Sequence, residues 1–294
     1  MKQYITNSKG YKTFQIFNTL SMWAIVIVTL YPFVYLLAGS FSSESAMISG
    51  KVALLPVEFS SSAYKIILHN KLFWITYKNT LIYTTLQTAI GLFMTVICAY
   101  PLSRNHLKGR GIIMKMMVFT MFFSGGLIPN YLLIVNLKLI DTIGAIVLPG
   151  AIGVWNMIIM RTFFQGIPSS LEDAGHMDGL NPIGILFRIY VPLSKPVLAT
   201  VGLFIAVWTW NDYFYPLIYL NSMEKYPVTV YLRNLLIGSA QLNSSTTLTI
   251  DDVIKPNETL KAAVIMLVTV PILCVYPFIQ KYFVKGVMIG SIKG

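Results

Sequence analysis

Three carboxylates, Glu172, Asp173 and Asp178, crowd into one stretch of a chain that has 11 Asp plus Glu in all. Their surroundings limit the chemistry open to them. The chain has no H-E-x-x-H and no H-x-E followed by C-x-x-C, so zinc hydrolysis of those kinds is absent. It also lacks G-x-S-x-G and the phosphate-cradling G-x-x-x-x-G-K-[ST]. His69, His106 and His176 are scattered over separate loops as solvated residues, and no metal site is expected. Cys98 and Cys274 lie inside apolar runs, where a thiol behaves as a small hydrophobe, so neither a disulfide framework nor a zinc site follows. Without a catalytic constellation, the chemistry left to the three acids is recognition of a partner's surface by charge.

A second group could bind a ligand. Trp208, Trp210, Asn211, Asp212, Tyr213 and Tyr215 place aromatic faces beside amide and carboxylate groups. Sugars bind in that way, with ring faces stacked and hydroxyls hydrogen-bonded to Asn and Asp. The alternative is an aromatic belt at a membrane interface, where Trp and Tyr collect.

The elements that must position these residues follow from composition. Of 294 residues, 55% are hydrophobic and only 11% charged, less than half the usual charged share of about 25%. That excludes a soluble enzyme or a disordered protein and leaves a polytopic membrane protein. A nucleic-acid partner is not expected, because no amphipathic segment carries a basic stripe with interleaved aromatics. Six stretches can span a hydrocarbon core: Phe17–Phe41, Thr80–Tyr100, Ile112–Leu133, Thr142–Met160, Val197–Tyr219 and Leu260–Phe283. The first reads as a retained helix, since its apolar run exceeds that of a signal sequence. Gly125, Gly126 and Pro129 predict a bend in the third.

With the amino terminus cytoplasmic, the inner segments hold Lys2, Lys9, Lys12, Arg104, Lys108, Arg110, Lys115, Arg161, Arg188, Lys195, Lys281, Lys285 and Lys293. Against them stand only Glu172, Asp173 and Asp178, so the inside is net +10. The remaining 9 basic and 8 acidic residues leave the outside at +1. The positive-inside rule then puts both termini in the cytoplasm. Two outer segments exceed a tight turn, Ser42–Asn79 and Asn221–Thr259. Either is a plain connector or a place where a partner docks.

The acids lie on the longest inner loop, residues 166–196, which reads GIPSSLEDAGHMDGLNPIGILFRIYVPLSKP. Ser169 followed by Glu172 predicts a capping box, with Pro168 just before it. Gly179 supplies the left-handed residue that ends this short helix. Asn181-Pro182 begins a second helix, which Pro192 and Pro196 stop. Ala174 and Gly175 leave one face nearly bare, open to close approach by a partner's backbone. An interfacial helix resting on lipid is the rival reading, weakened because carboxylates would face anionic headgroups.

This loop resembles the EAA loop of ABC importer permeases. Glu172-Asp173-Ala174, Asp178-Gly179-Leu180 and Ile189-Tyr190-Val191-Pro192-Leu193 match that pattern in spacing, with Asp173 replacing the usual first alanine. Asn79-Thr80-Leu81, Ala99-Tyr100-Pro101-Leu102-Ser103-Arg104, Trp210-Asn211-Asp212 with Pro216, and Gly286 with Gly290-Ser291-Ile292-Lys293-Gly294 are similar to the carbohydrate branch that includes the maltose permeases. The resemblance implies an all-α permease of six transmembrane helices in the bacterial plasma membrane, one domain over residues 1–294. It implies pairing with a second permease subunit, by family habit a distinct chain, and two ATPase subunits that bind ATP and Mg while this chain binds no cofactor. An extracytoplasmic binding protein would deliver an oligosaccharide. Glu172, Asp173, Ala174, Asp178, Gly179, Leu180 and Pro192 would couple the chain to an ATPase subunit, and the outer loop 221–259 would meet the binding protein. Two rivals remain. An ion-driven secondary transporter would show similar halves and paired charges within spans. A membrane-embedded enzyme would need polar clusters at membrane depth, where Asp212 alone qualifies.

Overall fold

The computed structural model describes residues 9–241 and 257–291. Among them no strand occurs, as expected where backbone groups cannot reach water and must be satisfied within each segment. The helices are α1 Lys9–Ser40, α2 Glu44–Ile48, α3 Ser62–His69, α4 Lys71–Ser103, α5 Arg110–Phe122, α6 Leu127–Asn136, α7 Ile143–Val147 and α8 Val154–Gln165. They continue with α9 Ser169–Met177, α10 Pro182–Ile185, α11 Lys195–Asn211, α12 Phe214–Tyr219, α13 Val228–Gln241 and α14 Glu258–Ser291. Two compact units form. One combines Met1–Asn70 with Asn234–Thr269, the other Lys71–Arg233 with Val270–Gly294.

In the first unit, α1 is apolar on all sides, with Pro32 inside it. Ser43 caps α2 by accepting from the Ala46 amide at 3.2 Å. The Ser43 and Ser45 hydroxyls donate to Glu58, and hold its carboxyl below the usual carboxylate range. Asn257 donates to the Glu44 carboxylate.

The second unit is built around α4. Its lower half contributes Val96, Ala99, Tyr100 and Leu102 to a core completed by Met157, Met160 and Phe164 of α8, Ile185, and Val197, Val201 and Ile205 of α11. Small residues set the helix spacing, as is usual in membranes. A Cβ on Gly91 would come within 3.1 Å of Ile205, and one on Gly202 within 3.1 Å of Leu92. Higher up, Gln87 is buried, with its amide against Gly150, and Thr95 is fully buried.

The expected spans differ in detail. α1 and α4 are long and apolar enough to cross a bilayer unbroken, and α4 begins at Lys71, well before Thr80. The third segment bends by 112° between α5 and α6, where Gly126 takes φ +84°. That conformation suits glycine, so the expected bend is present. The fourth segment is not continuous: α7 ends at Val147 and α8 starts at Val154. The fifth stops at Asn211, and α12 follows after a break. Counting each bent pair as one, the described residues hold up to four spans by length and composition. α14 runs through the whole of the sixth segment, with Pro271 and Pro277 inside it. Hydropathy averages over a window and is blind to such breaks.

Candidate functional site

The loop of residues 166–196 folds as two short helices joined by a tight turn. Gly179 takes φ +77°, its amide donating to His176 O at 3.0 Å while Leu180 N donates to Gly175 O at 2.9 Å. This pair of bonds closes α9, with glycine at the left-handed position. Asn181 then caps α10, its side chain accepting from Gly184 N at 2.7 Å, with Pro182 at the first helical position. Both signals were legible in the sequence.

Three details of the loop depart from the sequence reading. The residue capping α9 is Pro168, not Ser169, so the capping box does not form. Its acid is engaged elsewhere: Glu172 pairs with Arg104, which follows α4. Gly175 is buried rather than open to a partner, since a Cβ there would come within 2.8 Å of Ile189 Cδ1 and 3.2 Å of Ile185 Cγ1. Pro192 does not stop the helix that Pro182 begins. The rod widens into a π turn over Leu186–Tyr190 and runs on to Leu193 before bending by 85° into α11. A widened turn relieves the clash and missing donor that proline brings to a helix.

The Arg104–Glu172 pair is well shielded, with 11% and 12% of the two side chains exposed. The guanidinium lies 4.1 Å from the Tyr190 ring centroid and 5.0 Å from that of Tyr100, within cation–π range. Tyr100 Oη donates to Glu172 Oε1 at 3.5 Å. Removing one partner of a shielded ion pair costs about 3–5 kcal/mol, because the other charge is left uncompensated. Among the residues that α9 and its turn leave exposed are Asp173, Ala174, His176, Met177, Asp178 and Gly179, with Met177 at 88%.

The aromatic group around Asp212 is not gathered into one cluster. Trp210 is 6% exposed and meets Tyr77 edge-on at 5.9 Å, while Trp208 is 73% exposed. Asn211 donates to Val207 O at 2.8 Å. Asp212 leaves the helix with φ −70° and ψ 122°, and its Oδ1 accepts from Phe214 N at 3.0 Å and Tyr215 N at 3.3 Å. The carboxylate thus satisfies the first amides of α12 at a helix break. Tyr213 and Tyr215 are exposed, and Tyr215 stacks on Tyr219.

A polar clamp in the amino-terminal half of α4 was not read from the sequence. Asn79 donates to Glu224 O at 2.6 Å and Tyr226 O at 3.1 Å, and Tyr83 donates to Lys225 O at 2.7 Å. Thr80 Oγ1 accepts from Val228 N at 2.8 Å. From the other side, Asp141 accepts from Asn221 N at 3.0 Å, Ser222 Oγ at 2.8 Å and Lys225 Nζ at 2.6 Å. The Lys225 ammonium and these donors hold the Asp141 carboxyl well below the usual carboxylate range. The Asn79-Thr80-Leu81 motif was the available signal, and its first two residues fasten the loop of residues 221–259 at Glu224, Tyr226 and Val228. Of that loop, α13 runs to Gln241, while Asp251, Asp252, Pro256 and the Ser/Thr-rich stretch beyond Gln241 lie outside the described residues. Among the described residues, no group of three His, Cys, Asp or Glu is placed to hold a metal ion.

A helical chain with two unbroken helices long and apolar enough to cross a bilayer, and with a capped two-helix loop, fits a membrane permease subunit. The chain belongs to the family of binding-protein-dependent transport system inner membrane components, whose model matches residues 6–289. It is 42% identical over 279 residues to the polygalacturonan/rhamnogalacturonan transport system permease protein YtcP of Bacillus subtilis (strain 168), covering 95% of this chain and 97% of that one. It is 41% identical over 288 residues to protein LplC of the same organism, covering 98% and 97%. Among solved structures, it resembles a chain of a bacterial ABC transporter involved in the import of the acidic polysaccharide alginate. There the TM-score is 0.85 and the identity 36%, over 94% of this chain and 98% of that one. The expected membership in the ABC importer permeases is therefore shown, and the secondary-transporter rival falls away.

Proposed function

We propose that this chain crosses the bacterial plasma membrane six times with both termini cytoplasmic, as one domain over residues 1–294, and forms half of an oligosaccharide import path. A second, distinct permease subunit provides the other half. Two ATPase subunits beneath them bind ATP and Mg, and an extracytoplasmic sugar-binding protein delivers the substrate. The observation that carries this reading is the inner loop: a short helix closed by Gly179, stiffened by α10, and exposing Asp173, Ala174, Met177 and Asp178. A capped lever transmits a rigid-body closure that a floppy loop would absorb. Asp173, Ala174 and Asp178 would face the ATPase groove, with Gly179, Leu180 and Pro192 fixing the angle of the lever. Substrate identity is supported by the carbohydrate names of the relatives. The path would be lined by the exposed Trp208, Tyr213 and Tyr215, with Trp210, Asn211 and Asp212 shaping the break that presents them.

The test is reconstitution. Proteins that copurify with the chain in mild detergent should include two ATPase chains and a second permease. In liposomes, uptake of a labelled oligosaccharide should require ATP, Mg and the binding protein. Uptake driven by an ion gradient without ATP would overturn the reading. For topology, a cysteine at position 43 should label from outside intact cells and one at position 169 should not.

A further inference from the structure

We infer that the exposed turn Met223–Lys225 is a preformed contact for the sugar-binding protein, and that Asp141 is the positioning residue that presents it. The inference rests on the proposed function, in which residues 221–259 lie on the side from which the binding protein arrives. Asp141 stands between α6 and α7 with φ +60°, a left-handed conformation uncommon for a residue with a side chain. Such backbone persists where its surroundings over-determine it. Here every polar group of Asp141 is engaged by one short segment. Its amide donates to Tyr219 O at 2.8 Å, and its carbonyl accepts from Lys225 Nζ at 2.7 Å. Its Oδ1 accepts from Asn221 N at 3.0 Å and Ser222 N at 3.1 Å, and its Oδ2 from Ser222 Oγ at 2.8 Å and Lys225 Nζ at 2.6 Å. Tyr219 is buried with Ile134 and Ala145, so the start of the segment that Asp141 grips is itself packed.

The far side of the turn is held by α4. Asn79 donates to the carbonyls of Glu224 and Tyr226, and Tyr83 to that of Lys225. Lys225 thus joins the two sides, its ammonium on Asp141 and its carbonyl on Tyr83. Just beyond, Thr229 Oγ1 donates to Asp212 O at 2.8 Å, and Val228 and Val230 are fully buried. The backbone of a short 3₁₀ turn is therefore fixed from two directions, while its first two side chains stay in the open. Met223 is 63% exposed, and Glu224 beside it is exposed as well. Methionine is enriched in the buried centre of interfaces, and a turn that is already ordered loses little freedom on association. Asp141 supplies that order on one side: the amides of Asn221 and Ser222 donate to it and to nothing else among the described residues.

The experiment uses the assembled complex in liposomes and titrates it with the binding protein. Three quantities are read: the half-saturating concentration of binding protein, the maximal stimulated ATPase rate, and the basal rate. Met223→Ala and Asp141→Ala should each raise the half-saturating concentration about five- to tenfold and leave both rates in place. Combined, they should do little more than either alone, because a turn that is no longer held does not present its methionine. Asp141→Asn keeps an acceptor for the Asn221 and Ser222 amides and tolerates the left-handed backbone, so it should recover most of the affinity. A merely structural role for Asp141 would lower the maximal rate and the yield of complex with half-saturation unmoved, and would overturn the inference. An unmoved half-saturation in Met223→Ala, or full additivity of the two changes, would overturn it too. If Asp141→Ala does not assemble, Lys225→Ala takes its place, since it leaves the contacts of Asp141 to Asn221 and Ser222 intact. A smaller rise in half-saturation is then expected, and none overturns the inference. A parent complex whose ATPase ignores the binding protein refutes the proposed function, and the inference falls with it. A responsive parent with unmoved variants refutes the inference alone.

Discussion

Gly175 offers the sharpest test of how α9 is seated. An added Cβ would stand 2.8 Å from Ile189 Cδ1 and 3.2 Å from Ile185 Cγ1. Carbon atoms prefer about 3.5–4.0 Å, so the methyl of Ile189 must retreat by roughly 0.7 Å or the helix must lift. Overpacking of this kind costs about 1–3 kcal/mol, and replacing glycine by alanine in a helix returns about 1 kcal/mol. Because Ile189 Cδ1 is the flexible end of a side chain, Gly175→Ala should lose no more than about 2 kcal/mol on those figures. Gly175→Leu cannot be absorbed that way and should displace the lever. The assay is binding-protein-stimulated ATPase and uptake in liposomes, with the half-life of the complex at elevated temperature as the stability readout, since such assemblies unfold irreversibly. Ile189→Val deletes the opposing methyl. Alone it should cost about 0.5–1.5 kcal/mol, and combined with Gly175→Ala it should recover what the alanine lost. Wild-type coupling in Gly175→Leu, or no recovery in the double variant, would refute the seat.

Other predictions follow from the clamp on α4 and the break at Asp212. Thr80→Val keeps the shape but leaves the buried Val228 amide without its acceptor, at about 1–3 kcal/mol. Amide exchange at Val228 should quicken and uptake should fall, while Thr80→Ser restores both and the ATPase subunits stay bound. Asp141 titrates below its ordinary value when folded. Its contribution to holding the segment around Lys225 is therefore present above about pH 4 and is lost as the pH falls below that. Proteolysis around Lys225 should rise on acidification in the parent chain, and should be already raised and less pH-dependent in Asp141→Asn. Asp212→Asn preserves an acceptor for the α12 amides and should retain uptake, whereas Asp212→Ala should weaken the complex by about 1 kcal/mol as a lost cap; equal loss in both would instead assign the charge itself a role. Trp208→Ala should alter preference among oligosaccharides with assembly intact, and an unchanged preference would remove it from the path.

Much of the candidate site was legible because its signals are local. Gly179 and Asn181-Pro182 act on backbone groups within a few residues, so their effect is readable in the chain itself. The capping box failed for the opposite reason. The carboxylate of Glu172 has a stronger partner in Arg104, 68 residues earlier, which no local rule brings to it. Gly175 was read as an open face for a partner, although the atoms that crowd it come from Ile185 and Ile189 after the turn. The breaks at Gly126 and Asp212 lie within stretches whose mean apolarity is unbroken. Composition announced the spans, but the continuity of each depended on single residues.

The polar residues buried along α4 also bear on how the chain is made. Gln87 is buried with its amide against Gly150, which the ribosome has not yet produced when α4 leaves it. Gly150 comes roughly 50 residues after α4 ends, a few seconds of synthesis at about 5–20 residues per second. Through that interval α4 must hold its place in the bilayer by its own apolar content, with the Gln87 amide not yet covered by the segment at Gly150. A further polar residue in its upper half would then show as a chain that fails to insert during synthesis, before any step of transport could be measured.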